Sequence, residues 1–290
     1  MRRQVVMEHR VETEPGASAA SCRQDYFGNE VQYVTFEGAH DELTITASSR
    51  LVVGAAYIPD PGETPSWEVV RRVCRTDRSR SVLEANEFTF ASPMVPVGLE
   101  YAAYAAESFQ DGRSLLESAL ELTGRIHREF VFDPSATTTT TPLEEVMRER
   151  RGVCQDFAHI EIACLRSLGL AARYVSGYLE TIPPPGQARL VGGDMSHAWV
   201  SLYCPGLGWM DLDPTNDCMP SMRYVTLGWG RDYGDVCPTR GVLVGAGEHS
   251  VSVAVDVVPL GEACAPAARG ERMEERGELG PLVREPGAGS

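Results

Sequence analysis

Gly152-Val153-Cys154-Gln155-Asp156-Phe157-Ala158-His159 is the stretch on which the reading of this chain turns. It opens a helix. Over residues 154–168, Phe157, Ile160, Cys164, Leu165 and Leu168 trace one apolar stripe at helical spacing. Gly169 then stands where a helix closes on a left-handed residue. Cys154 is therefore expected in the first turn. Unpaired backbone N–H groups and the helix dipole favour an anion there, and the thiolate is the nucleophilic form of cysteine. The same N–H groups can stabilise an oxyanion on an attacked carbonyl. A cysteine alone is weak evidence, because most cysteines are small buried hydrophobes. Cys164, on the apolar stripe, is read that way.

Partners for Cys154 are sought downstream. Residues 171–178 read as a strand, and residues 197–204 alternate well. Ala198, Val200, Leu202 and Cys204 point one way; His197, Trp199, Ser201 and Tyr203 point the other. Pro205-Gly206-Leu207-Gly208 turns the chain, and residues 209–213 return with Trp209, Asp211 and Asp213 on one face. A loop of three or five residues places His197 opposite Asp213 or one pair away, on the same side of the sheet. A four-residue loop would break that register. Cysteine, histidine and carboxylate then supply a nucleophile, its base and a group that orients the base. Asp211 is the fallback for the orienting acid. His159 lies about 140° around the helix from Cys154 and is read as structural. Asp156 is read as a first-turn cap, while the place of Gln155 stays open. Trp199 and Tyr233 are candidates to line the substrate cleft, with the core as the alternative. Arg231 and Asp232 are expected to pair.

Upstream, residues 31–36, 43–47 and 51–56 read as strands, with a turn at Phe27-Gly28-Asn29. Residues 60–96 read as a connector broken by Pro61, Pro65, Pro93 and Pro96. A helix is expected over 114–127, then a threonine-rich loop over 137–141. Thr141, Pro142 and Glu144 fit the N-cap, first position and capping box of another helix, which ends near Arg151-Gly152. Residues 251–258 read as a late strand. The tail, rich in Gly, Ala, Pro, Glu and Arg, reads as disordered. The expected organisation is an unassigned stretch at 1–20, a β domain over 21–92, an α+β core over 98–260 and the tail over 261–290.

Composition excludes several classes. A net charge of −15 argues against nucleic acid and anionic membranes as partners. No apolar run is long enough to span a bilayer, and residues 1–10 lack the apolar segment of a secretory signal, so a cytoplasmic location is expected. The eight cysteines show no compact framework and are read as free thiols. A zinc set of His197, Cys204 and Cys218 has no structural zinc spacing, so neither a metal nor another cofactor is expected.

Several separated motifs add a resemblance. The 152–159 stretch looks like the nucleophile motif of bacterial transglutaminase-like proteins. Leu168-Gly169-Leu170-Ala171-Ala172-Arg173-Tyr174-Val175-Ser176-Gly177-Tyr178 is similar to their next helix–strand junction. Ser196-His197-Ala198-Trp199-Val200 resembles their histidine motif, and Gly208-Trp209-Met210-Asp211-Leu212-Asp213-Pro214-Thr215-Asn216 their aspartate motif. Gly230-Arg231-Asp232-Tyr233-Gly234-Asp235-Val236-Cys237-Pro238 resembles a later signature. The match runs over residues 100–260 in one order.

The resemblance implies a papain-like α+β fold, with the cysteine on a helix and the histidine and aspartate on neighbouring strands. It implies Cys154, His197 and Asp213 as catalytic triad. It implies amide-bond chemistry through a thioester, with peptidase or amidase activity ahead of cross-linking and a peptide or protein as substrate. A non-catalytic module that binds a peptide or partner on the same fold is the alternative. The family often carries an N-terminal β domain, and Asp25-Tyr26-Phe27-Gly28-Asn29 resembles its second half. Its first strands are expected to be missing from residues 1–20, through a displaced start or divergence.

Overall fold

A computed structural model describes residues 4–55, 57–182, 194–245 and 250–260. Strands β1 (Gln4–Glu14) and β4 (Thr44–Val53) form one antiparallel ribbon; β2 (Ala19–Gln24) and β3 (Glu30–Thr35) form another. Helices α1 (Trp67–Thr76), α2 (Arg80–Asn86), α3 (Leu99–Ala106) and α4 (Leu115–Glu129) follow. The short strands β5 (Val131–Phe132) and β6 (Arg151–Gly152) pair in parallel around α5 (Leu143–Glu149). Then come α6 (Cys154–Ser167), β7 (Ala172–Leu179), β8 (Met195–Cys204), β9 (Gly208–Leu212) and β10 (Tyr224–Gly230). The last four strands form an antiparallel sheet in the order β10-β7-β8-β9.

Helix α6 is the centre of the core. It touches β7 and β8 of the sheet as well as α3, α4 and α5. Every residue from Gln155 to Arg166 is buried, polar ones included. A buried polar group is best tolerated when it is bonded. Arg166 shows how: Nε donates to the Ala172 carbonyl at 3.0 Å, Nη1 to Phe90 O at 3.1 Å, and Nη2 to Arg231 O at 2.7 Å. One guanidinium thereby ties the end of α6 to three separate segments. Gly169, with φ +79°, ends the helix in the left-handed conformation expected of it.

The N-terminal region meets this body through side-chain amides. Gln4 donates from Nε2 to Thr226 O at 2.8 Å and accepts at Oε1 from Thr226 N at 2.9 Å. Asn29 does the same at Trp229, donating to its carbonyl at 2.8 Å and accepting from its N–H at 3.0 Å. Asp25 explains the Asp25-Tyr26-Phe27-Gly28-Asn29 motif. Its carboxylate accepts from Phe27 N, Asn29 N and Asn29 Nδ2, which fixes the turn and aims the amide. Gly28 supplies the positive φ, +85°. Phe27 then packs on Phe88, which packs on Trp209 of β9.

Five expectations change. Residues 1–20 are not empty of strand: β1 and the start of β2 lie there. Residues 44–53 form one long strand, not two, because β1 pairs along its whole length. Residues 60–96 are not only a connector. They hold α1 and α2, whose Trp67, Val70, Cys74, Val82 and Ala85 join the same hydrophobic core as α6, so a β domain extending to residue 92 overreaches. Residues 251–258 form no strand; Val255 makes a single bridge to Asp194. Pro142, not Thr141, occupies the N-cap position of α5. The tail over 261–290 lies outside the described residues.

Candidate active site

The β8–β9 hairpin sets the register. Cys204 pairs with Gly208 and Val200 with Leu212, so Pro205, Gly206 and Leu207 make a three-residue loop. Continued by one residue, that register puts Asp213 across from Trp199. His197 is then one pair further on the same side, and its Nε2 lies 2.7 Å from Asp213 Oδ2. The odd-length loop required by the alternation argument is present.

Asp213 is fully buried, and it is the best-bonded carboxylate of the site. Oδ1 accepts from Thr215 N at 2.8 Å and Asn216 N at 3.2 Å. Oδ2 accepts from His197, from Asn216 Nδ2 at 2.7 Å and from the Tyr224 hydroxyl at 2.7 Å. Burial alone would raise its carboxyl; the bonds from His197, Asn216 and Tyr224 overcome that and hold it below the usual carboxylate value. The charge therefore persists where it faces the imidazole.

His197 is 8% exposed. Burial works against a charged ring, but hydrogen bonds with Asp213 and Cys154 outweigh it and push the imidazole up to about 10. With Nε2 engaged by Asp213, Nδ1 is the nitrogen left to face the thiol. Cys154 itself is half-buried at the first position of α6. Val153 precedes it in extended conformation, and its N–H donates to Asp156 Oδ2 at 2.9 Å. Asp156 also accepts from Thr137 Oγ1 at 2.6 Å, so the capping role expected of it is the one it plays. Gly152 makes room for this: a Cβ there would lie 2.5 Å from Asp156 Oδ2. The motif is thus a device that starts a helix with a cysteine at its tip.

Other expectations separate. His159 is structural as read. Its Nε2 accepts from Tyr233 N at 3.2 Å, and burial pushes the ring down to about 4, so it stays neutral. Tyr233 is half-buried; its N–H fastens residues 233–235 to α6 and its ring contact with Tyr174 fastens them to β7. Trp199 does not line a cleft. It is 0% exposed and packs beside the His197 ring and against Tyr224, supporting the imidazole from within. Gly177 leaves space for that indole, since a Cβ there would meet its ring at 2.4 Å. Arg231 pairs with Asp235, Nε to Oδ2 at 2.8 Å, and not with Asp232, whose Oδ2 accepts from Met94 N at 3.0 Å. Asp211 acts on the charge of Arg173, leaving His197 to Asp213. Asn216 and Tyr224 escaped the sequence reading. Asn216 had a signal, standing in the quoted aspartate motif; Tyr224 had none, because only the fold returns β10 to this place. Among the described residues, no group of three His, Cys, Asp or Glu is placed to hold a metal ion.

Residues 102–214, which include Cys154, His197 and Asp213, match the family model of the transglutaminase-like superfamily. Residues 1–52 match the bacterial transglutaminase-like N-terminal region, so the first strands expected to be missing are present. The chain is 41% identical over 267 residues to an uncharacterized protein of Mycobacterium tuberculosis, covering 89% of this chain and 83% of that one. The chain belongs to the transglutaminase-like superfamily. A solved structure of a candidate cysteine protease from Cytophaga hutchinsonii shares the superfamily fold with it, at TM-score 0.62 and 20% identity over 81% of this chain and 74% of that one. A protein-glutamine gamma-glutamyltransferase of Pseudomonas aeruginosa is 33% identical over 97 residues, 32% of this chain and 14% of that one. No described helix of this superfamily member is long and apolar enough to cross a membrane.

Proposed function

We propose that this protein is a cysteine-nucleophile acyl-transfer enzyme that acts on amide bonds of a peptide or protein through a thioester. The observation that carries the proposal is His197 held between the Cys154 thiol and Asp213 Oδ2. The thiol proton passes to His197 Nδ1, and Cys154 Sγ attacks the amide carbonyl carbon. The N–H groups at the start of α6 stand ready for the oxyanion. As the C–N bond breaks, Nδ1 returns the proton to the leaving amine. Nδ1 then takes a proton from the acceptor, which attacks the thioester carbon and releases Cys154. Asp213 keeps its bond to Nε2–H throughout and stabilises the imidazolium.

Water is the acceptor proposed first, because Cys154 is only partly buried. The segment shared with the gamma-glutamyltransferase supports a second reading, in which a primary amine accepts the acyl group. The described cysteines are all free, which supports a reducing, cytoplasmic site of action.

The test is thiol alkylation with peptide mapping, followed by turnover of a peptide-amide library with and without a biotinylated amine. Cys154 is expected to label faster than the exposed Cys22. His197→Ala should slow that labelling by about 10²-fold or more. Cys154→Ala should abolish both hydrolysis and amine incorporation. Labelling of Cys154 no faster than of Cys22, together with no turnover, would leave a peptide-binding module instead.

A further inference from the structure

Helix α6 carries a second carboxyl that the chemistry above does not use. Glu161 follows Cys154 by seven positions, about two turns along the same face, and is 0% exposed. Its Oε1 lies 2.7 Å from Thr123 Oγ1 on α4. The same hydroxyl lies 2.9 Å from the Ala119 carbonyl oxygen. A hydroxyl has one proton and a carbonyl only accepts. If Thr123 donates to Ala119, its contact with Glu161 is a hydrogen bond only when Glu161 donates. If Thr123 donates to Glu161 instead, two bare oxygens are left facing each other at 2.9 Å. A buried carboxylate would then rest on one neutral donor, for Glu161 Oε2 has no partner among the described residues. The first arrangement satisfies every short contact and buries no charge.

The surroundings favour the same state. After β9, Asp213 and Asp217 both act on Glu161, and both are acids. His197 of β8 is itself engaged by Asp213. On its own helix Cys164 is the titratable neighbour, and Arg125 of α4 and Arg150 after α5 act on that thiol. Burial is the largest influence and pushes the Glu161 carboxyl up to about 8.

We propose that Glu161 is a positioning residue that holds a proton at neutral pH, tying α6 to α4 beneath Asp213 without placing a second buried negative charge beside it. In the unfolded chain this carboxyl ionises near 4.5, its unperturbed value. Between 4.5 and about 8 the unfolded chain releases a proton that the folded protein keeps, so this group lowers stability as pH rises through that window. Above it, an ionised Glu161 adds a negative charge near Asp213 and holds the His197 proton more tightly.

Infrared spectroscopy of the full chain in heavy water tests the proton directly. At neutral pH, wild type and Asp156→Asn are expected to show a protonated-carboxyl C=O band that Glu161→Gln lacks. Absence of the band, or its survival in Glu161→Gln, overturns the proposal. Glu161→Gln keeps a donor for Thr123, so its melting temperature should lie above wild type on the alkaline side and vary less with pH. Identical pH dependence in the two proteins also overturns it. Should that variant fail to fold, Thr123→Val removes the acceptor: the band then moves to higher frequency, and an unmoved band counts against the proposal. The alkylation rate of Cys154 should show an inflection near about 8 in wild type that Glu161→Gln loses. This last arm rests on the catalytic reading; the infrared and melting arms do not, so the two can fail separately.

Discussion

The ribbons over residues 4–53 and the body built around α6 are held by different means. In the ribbons, β2 is exposed along its whole length and β1 along most of it; Val5, Val6 and Met7 are 51%, 54% and 62% exposed. In the body, Leu116, Leu122, Ile160 and Leu165 are 0% exposed. Apolar burial positions the helices, and hydrogen bonds specify which polar group sits where. In the ribbons there is little burial to do the positioning. Their place on the body depends on directional contacts, chiefly the Gln4 and Asn29 amides and the Phe27 ring. Apolar contacts sum over many atoms and tolerate the loss of one; a directional contact fails when its single donor or acceptor is removed.

This contrast can be broken by substitution. Leu165→Ala should cost about 2–5 kcal/mol in a urea melt, because it leaves a cavity at a fully buried site. Asn29→Ala should cost less, about 1–3 kcal/mol, since it removes the two bonds to Trp229 and frees a donor–acceptor pair. Its sharper signature is local. Hydrogen exchange at the Trp229 amide should quicken while amides of α6 stay protected. Loss of protection throughout α6 would mean that the ribbons and the body fold as one unit, and the contrast would fall. Val6→Ala should change stability by no more than about 0.5 kcal/mol, given its exposure. A cost as large as that of Leu165→Ala would show a hidden surface over β1.

The same contrast explains what was legible in the sequence. Helix α6 is legible nearly to its ends, because its apolar stripe and Gly169 are local signals. The hairpin is legible conditionally: alternation puts His197 and Asp213 on one side, and only the loop length is not given by local pattern. Helix α1 is masked by its flanking prolines although Trp67, Val70 and Cys74 stand at i, i+3 and i+7; Pro61 and Pro65 precede it and do not interrupt it. Strand β1 is hard to see in the sequence because it buries neither face, so its residues carry no clean alternation of apolar and polar. Tyr224, Thr123 and Glu161 were beyond reach for a different reason. Their roles come from partners distant in sequence, and a hydroxyl or carboxyl gives no local sign of which distant group it will meet.

Asn29 has a consequence for the exposed edge of the sheet. Strand β10 ends the sheet, and its outward peptide groups at Thr226 and Trp229 are taken by side-chain amides rather than by another strand. Gly228 between them admits the Asn29 side chain; a Cβ there would lie 3.0 Å from Oδ1. Hydrolysis of that amide to aspartate exchanges the Nδ2 donor for a second acceptor. The new carboxylate then faces both the Trp229 carbonyl and the Asp25 carboxylate, and attraction becomes repulsion. Loss of the Nδ2 donor at this one asparagine would thus uncover the strand edge at Trp229, and an uncovered edge is a template on which a second chain can add.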